Sequence, residues 1–282
     1  MVCVAPLVAA FRLRGRISFC AALMMTFTVA CTTSPTGPTD TSRSPIVATV
    51  SQEPPPTPPR VGDLPPPAAL GGTKFVAFGD SITYGTFSAF DGAFLYDAPT
   101  HSYPTRVQLS LRQIFPLQAA AFTVINEGVP GERAQQGRQR IAGVLAMHEP
   151  NGLLLLEGVN DMGAGSSPTQ AAAAVAGIID VARTYRVTVL VGLMPQTYVR
   201  DDSNGETRNR PDDRIVPFNN ELRRLTAGLQ NVHVVDLYAR FGNNRSLMGA
   251  DGLHPTEAGY ELMAATFVQA LEAVYPVRGS LQ

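Results

Sequence analysis

The chain has 282 residues, a formal charge of −1 at pH 7 and 45% apolar residues, which suits one globular domain with extensions. That balance offers no basic surplus for nucleic acid and no acidic tail for a cationic partner. All three cysteines (Cys3, Cys20, Cys31) fall in the first 31 residues, so a disulfide within the later domain and a thiolate metal site are both excluded.

Residues 1–31 read as a signal peptide. Arg12, Arg14 and Arg16 precede an almost uncharged apolar stretch from Ile17 to Ala30. That is short of the roughly 20 residues a bilayer span needs, but it matches a secretory core. The stretch ends Thr28-Val29-Ala30-Cys31, which resembles a bacterial lipoprotein signal with Cys31 as the lipidated residue. Thr28 departs from that pattern, which usually has Leu, and the apolar Val2–Phe11 ahead of the arginines leaves the true start open. The expectation is export, to the bacterial envelope through a lipidated Cys31 or into the medium. Residues 32–72 are rich in Pro, Thr and Ser and include Pro54-Pro55-Pro56 and Pro65-Pro66-Pro67. Such a segment is an extended tether, with a reach of about 3 Å per residue.

The folded domain is expected over residues 73–282, where apolar runs alternate with helical patterns. Strands are predicted at Lys74–Phe78, Phe122–Asn126, Gly152–Glu157, Val187–Leu193 and His233–Leu237. Helices are predicted at Tyr103–Phe115, Glu132–His148, Pro168–Tyr185, Arg214–Leu229 and Thr256–Val274. Ser167-Pro168-Thr169-Gln170 marks one helix start, with a capping serine, proline at the first helical position and a capping-box glutamine. This alternation predicts an α/β fold, a parallel sheet between helices with right-handed crossovers.

Chemistry-bearing residues gather at the strand ends. The first strand stops at Gly79 and continues Asp80-Ser81-Ile82-Thr83, which puts Ser81 at the carboxyl edge of the sheet, where ligands bind in such folds. A serine hydroxyl needs a base, a group to orient that base, and donors for the oxyanion. Asp251-Gly252-Leu253-His254-Pro255 could supply the first two, because a carboxylate three residues before a histidine can reach its Nδ1 across a glycine turn. Taken alone, the same spacing also fits a turn cap beside a packed histidine. Gly128, in Asn126-Glu127-Gly128-Val129-Pro130-Gly131, and Asn160, in Gly158-Val159-Asn160-Asp161, offer neutral N–H donors, or are simply turn residues. Of the other histidines, His233 is expected in the core or on a sheet face, His148 at a helix end, and His101 in an irregular insertion.

Together these four blocks, in this order, resemble the SGNH hydrolases, also called the GDSL esterase/lipase family, from Lys74 to about Tyr275. Ile82 stands where the family's name-giving motif has Leu. The resemblance implies a three-layer α/β/α sandwich around a five-stranded parallel sheet of flavodoxin-like order. It also implies Ser81 as nucleophile, His254 as base and then acid, Asp251 as its partner, and an oxyanion hole of the Ser81 N–H, the Gly128 N–H and the Asn160 side chain. Asp80 and Asp161 are read as supporting residues. The activity implied is hydrolysis of carboxylic esters, short acyl or acetyl esters of carbohydrates or lipids. A lysophospholipase or thioesterase of the same family and a non-catalytic surface-binding module are the alternatives. A metal-dependent phosphoesterase is disfavoured, since the domain has neither a D-x-H nor an H-x-H pair. No cofactor, metal or nucleic-acid partner is expected. Two long connections, residues 84–102 with Phe87, Phe90, Phe94 and Tyr96, and residues 195–213 with Tyr198, Arg200 and Arg208, either line a substrate pocket or cover the core. The second is charged enough to be expected as a solvated loop.

Overall fold

The computed structural model describes residues 69–88, 95–201 and 208–276. The expected signal peptide with Cys31, nearly all of the expected tether, and Phe90 and Phe94 lie outside them.

Five apolar runs become one parallel sheet: β1 (Lys74–Gly79), β4 (Thr123–Gly128), β5 (Gly152–Leu156), β6 (Thr188–Gly192) and β9 (Val232–Val235). Their order is β4-β1-β5-β6-β9, the flavodoxin-like order. β5 is Gly-Leu-Leu-Leu-Leu with every residue buried, as a strand covered on both faces requires. The helices α2 (Tyr103–Ile114) and α8 (Glu257–Val274) pack together as one layer. The helices α3 (Ala134–His148), α5 (Pro168–Thr184) and α6 (Ile215–Thr226) pack side by side as the other. Ser167 caps α5 through the Gln170 N–H, and Gln170 reaches back to the Ser167 N–H. Thr256 caps α8 in the same way through Gly259.

The packed chain starts slightly before residue 73. Leu70 is buried in the core, and its N–H and C=O are both bonded to the Gln118 side chain. Three one-turn helices fall outside the predicted helices: α1 (Ser81–Tyr84), α4 (Val159–Gly163) and α7 (Leu237–Phe241). Two antiparallel ribbons fall outside the predicted strands. β2 (Thr86–Ser88) pairs with β3 (Leu95–Asp97), and β7 (Tyr198–Asp201) pairs with β8 (Arg208–Pro211).

The second ribbon corrects the expectation of a solvated loop over 195–213 in part: Gln196, Thr197, Asp212 and the first ribbon residue, Tyr198, are buried, while Asn209, Arg210 and Pro211 are exposed, and Asp212 is held by the Arg214 guanidinium. The first ribbon covers the core: Phe87 is buried between Tyr96, stacked at 5.5 Å, and Tyr260 at 4.8 Å. Of the two places expected for His233, it takes the sheet face and not the core. It is exposed on β9, an edge strand that pairs on one side only, with β6. His148 does end α3, where its Nε2 meets Glu127 Oε1 at 2.9 Å. His101 makes a surface pair with Glu257.

Candidate active site

The strand order reverses at β1, which lies between β4 and β5, so a crevice opens beyond the carboxyl ends of these three strands. Asp80 leaves β1 and caps α1, its Oδ1 accepting the Ile82 N–H at 2.9 Å. Ser81 is the first residue of α1, and its own N–H makes no hydrogen bond among the described residues. It is 7% exposed, and its hydroxyl lies 2.8 Å from His254 Nε2.

His254 comes from the far end of the chain. α7 and a short 3-10 helix (Arg245–Leu247) intervene between β9 and its loop, so it does not follow the last strand directly. The loop is pinned on several sides. Met248 bridges to Pro255, and Tyr198 of β7 donates its N–H to the Gly252 carbonyl at 2.8 Å. Arg245 donates to the Met248 carbonyl at 2.6 Å while its guanidinium lies 5.0 Å from the Tyr198 ring. Asp251 divides its two oxygens. Oδ1 accepts the main-chain N–H of Leu253 and of His254, at 3.0 and 3.1 Å, and Oδ2 accepts the His254 Nδ1–H at 2.5 Å. Both readings of the DxxH spacing therefore hold at once, turn cap and imidazole support. Burial alone would raise the Asp251 pKa. The His254 hydrogen bond and charge, with the two main-chain donors, outweigh it and hold the carboxyl below its ordinary range. With Nδ1–H committed to a carboxylate, Nε2 is left as the acceptor facing Ser81.

Asn160, in α4, places its amide nitrogen 2.8 Å from the Glu132 carbonyl and 3.4 Å from Asp80 Oδ2. Asp161 accepts the Ala134 N–H at 2.8 Å, which ties α4 to the start of α3. Asp80 is fully buried. Burial pushes its pKa up to about 7, against the pull of the Ile82 N–H and of the His254 charge, and with Glu132 adding to the rise.

Gly128 is not free to bind an oxyanion here. Its N–H is donated to Asn126 Oδ1 at 3.0 Å. A Cβ at this position would sit 2.2 Å from the Tyr84 nitrogen, so the glycine serves the close approach of α1 to β4. Sequence reasoning passed over Gly131, whose N–H is a candidate donor. Val129-Pro130-Gly131-Glu132 is a turn closed by the Glu132 N–H to the Val129 carbonyl at 3.0 Å, with Gly131 at φ 79°. Proline then glycine at the two central positions is the signature of a type II turn, readable in advance. The Gly131 N–H has no acceptor among the described residues, and nothing lies within 4 Å of where its Cβ would be. Because the Glu132 carbonyl holds the Asn160 amide, this turn is tied directly to Asn160.

The chain is similar to solved structures with this architecture. An aryl esterase of M. smegmatis is 19% identical, covering 72% of this chain and 99% of its own, with a TM-score of 0.60. Est24, a carbohydrate acetylesterase from Sinorhizobium meliloti, is 15% identical, covering 72% of this chain and 100% of its own, with a TM-score of 0.60. A lipase/acylhydrolase from Enterococcus faecalis is 23% identical, covering 74% and 100%, with a TM-score of 0.57. No curated protein matches the sequence. The model of the GDSL-like Lipase/Acylhydrolase family matches residues 77–262, from within β1 to within α8. The chain therefore belongs to the GDSL-like Lipase/Acylhydrolase family, and it is an ester hydrolase of that family.

Proposed function

We propose that the protein cleaves short acyl or acetyl esters of carbohydrates or other small alcohols through an acyl-enzyme on Ser81. The observation that carries this reading is the continuous hydrogen-bonded chain from Ser81 Oγ through the His254 ring to Asp251 Oδ2. Ser81 Oγ attacks the ester carbonyl as its proton passes to His254 Nε2. Asp251 steadies the imidazolium that forms. The Ser81 N–H, the Gly131 N–H in place of that of Gly128, and the Asn160 amide are the donors for the oxyanion. His254 then returns the proton to the leaving alcohol, the acyl group stays on Ser81, and water activated by the same histidine releases the acid. Similarity to acetylesterases and an aryl esterase supports a small acyl group. The reading of residues 1–31 as an export signal supports action at the cell envelope, with Cys31 as a membrane attachment.

The test is a series of p-nitrophenyl esters of increasing acyl length, beside acetylated glycans, with wild-type protein and Ser81→Ala. Hydrolysis greatest at acetate and reduced on the order of 10⁴-fold or more by Ser81→Ala is the expected result. Near-normal hydrolysis by Ser81→Ala would refute the nucleophile. A maximum at long acyl chains would refute the substrate class.

A further inference from the structure

Behind Asn160 lie three buried carboxyl groups of which the reaction above uses none directly. Asp80, Glu132 and Glu157 are 0%, 6% and 2% exposed. Gly79 of β1 pairs with Leu156 of β5, so Asp80 and Glu157 leave neighbouring strands at the same level of the sheet. Glu132 comes in from the turn after β4. Among the described residues, the titratable groups facing Glu157 are these two carboxyls and the buried Tyr103 phenol of α2. The cation of this region, Arg140 of α3, is spent elsewhere. Its Nε and one terminal nitrogen reach Glu132 Oε1 and Oε2, each at 2.7 Å, and the other terminal nitrogen reaches Glu127 at 3.2 Å.

Glu157 is poorly provided for as an anion. Its Oε2 accepts the Gly158 N–H at 3.2 Å, and its Oε1 is buried with no donor. The Glu132 carboxyl stands within hydrogen-bonding reach of it. Two ionised carboxylates only accept hydrogen bonds, so they cannot bond to each other; one proton between them makes the bond and satisfies the orphaned oxygen. That proton belongs on Glu157, because both Glu132 oxygens are already turned to a guanidinium.

We infer that Glu157 is a positioning residue of this site: it is held as the neutral acid, donates its O–H to the Glu132 carboxylate, and through the Glu132 carbonyl fixes the Asn160 amide and the Gly131 turn. Burial, with the Asp80 and Glu132 charges beside it, raises its pKa well above the ordinary carboxylate range, in the same direction. These carboxyls do not form a metal site: among the described residues no group of three or more His, Cys, Asp or Glu is placed to hold one. The kinetic half of the inference rests on the Ser81 esterase reading; the protonation half does not.

The experiment labels the glutamate side-chain carboxyls with carbon-13 and follows them by NMR from about pH 3 to about pH 9, a range that spans the ordinary glutamate pKa of about 4.3. Glu157→Gln assigns the resonance. Its amide keeps a donor toward Glu132 and an acceptor for Gly158. The expected result is a Glu157 carboxyl still protonated at pH 7. With p-nitrophenyl acetate, Glu157→Gln should keep kcat within about threefold of wild type, and Glu157→Leu should lower kcat about tenfold or more with KM little changed. The wild-type kcat should fall at alkaline pH as Glu157 ionises, and that fall should be missing in Glu157→Gln. A Glu157 resonance that titrates in the ordinary carboxylate range overturns the inference, and so does a Glu157→Leu kcat equal to that of Glu157→Gln. The NMR arm needs only wild type and the glutamine variant, so it decides even if the leucine variant fails to fold. Full activity in Ser81→Ala would instead strike the esterase reading, and the resonance would still decide the state of Glu157.

Discussion

Replacing Asp251 by asparagine separates its two tasks. The new side chain keeps a carbonyl oxygen for the Leu253 and His254 N–H groups, which Oδ1 accepts at 3.0 and 3.1 Å, so the turn survives. An amide NH₂ then replaces Oδ2, which is 2.5 Å from Nδ1. Two donors cannot face each other, so the ring shifts its proton to Nε2. That nitrogen lies 2.8 Å from Ser81 Oγ and would no longer be able to accept the hydroxyl proton. The expected loss is on the order of 10³–10⁴ in kcat, with KM little changed, because the defect is in proton transfer and not in binding. Stability should fall by only about 1 kcal/mol, one charge-assisted bond, whereas Asp251→Ala forfeits the turn cap as well and should cost about 2–3 kcal/mol. The pH dependence has a sign. Asp251's carboxyl is held below its ordinary value of 3.8, so its stabilisation is complete above that value and is lost only as pH falls through the folded-state pKa. The wild-type advantage over Asp251→Asn should thus be full at neutral pH and close in acid. Kinetics with p-nitrophenyl acetate beside denaturant titrations would measure both. A variant that keeps more than about a tenth of wild-type kcat, or loses activity through KM alone, would refute the tautomer argument.

Asn160→Ala should lower kcat on the order of 10²–10³, as the loss of one oxyanion donor, measured as kcat and KM with p-nitrophenyl acetate; a change confined to KM would remove Asn160 from the oxyanion site. Gly128→Ala forces a Cβ to 2.2 Å from the Tyr84 nitrogen. It should cost on the order of 2–4 kcal/mol and lower Tm, read by calorimetry; unchanged Tm would mean that α1 does not press on β4 as described. Asp80→Asn keeps an acceptor for the Ile82 N–H but cannot ionise. The wild-type carboxyl has its folded-state pKa raised from 3.8 to about 7, so wild type loses stability as pH rises between those values and the variant does not. Denaturant titrations at acid and alkaline pH should show the variant gaining on wild type by a few kcal/mol, on the order of three pKa units of linkage. A difference that does not change with pH would contradict the buried, desolvated Asp80.

What the sequence conveyed followed burial. The strands covered on both faces, such as β5 with its leucines, write themselves as continuous apolar runs, and the longer helices carry a readable period. The one-turn helices and the two ribbons have three to five residues per element, too few for either period to register. The charged ribbon β7–β8 reads as solvated loop because its side-chain pattern is polar, while burial is concentrated at Gln196, Thr197 and Asp212 beside it and at Tyr198, its first residue. Ser81, Asp251 and His254 were legible as candidates because each stands in a short, chemically unusual block.

The oxyanion glycine illustrates a harder limit. Two glycines stand within four residues, Gly128 at the end of β4 and Gly131 just beyond it, and both place an N–H at the carboxyl edge of the sheet. What separates them is a partner two residues away: Asn126 takes the Gly128 N–H, and its own amide donates to the Tyr84 carbonyl at 3.1 Å. That asparagine locks β4 to the one-turn helix carrying Ser81 and leaves the N–H of the next turn, at Gly131, without an acceptor among the described residues. Steric need points the same way, since Gly128 has no room for a Cβ while Gly131 has open space and a positive φ. One glycine is required by packing and the other by backbone conformation. Only the second leaves its N–H without an acceptor among the described residues, ready to meet a developing negative charge.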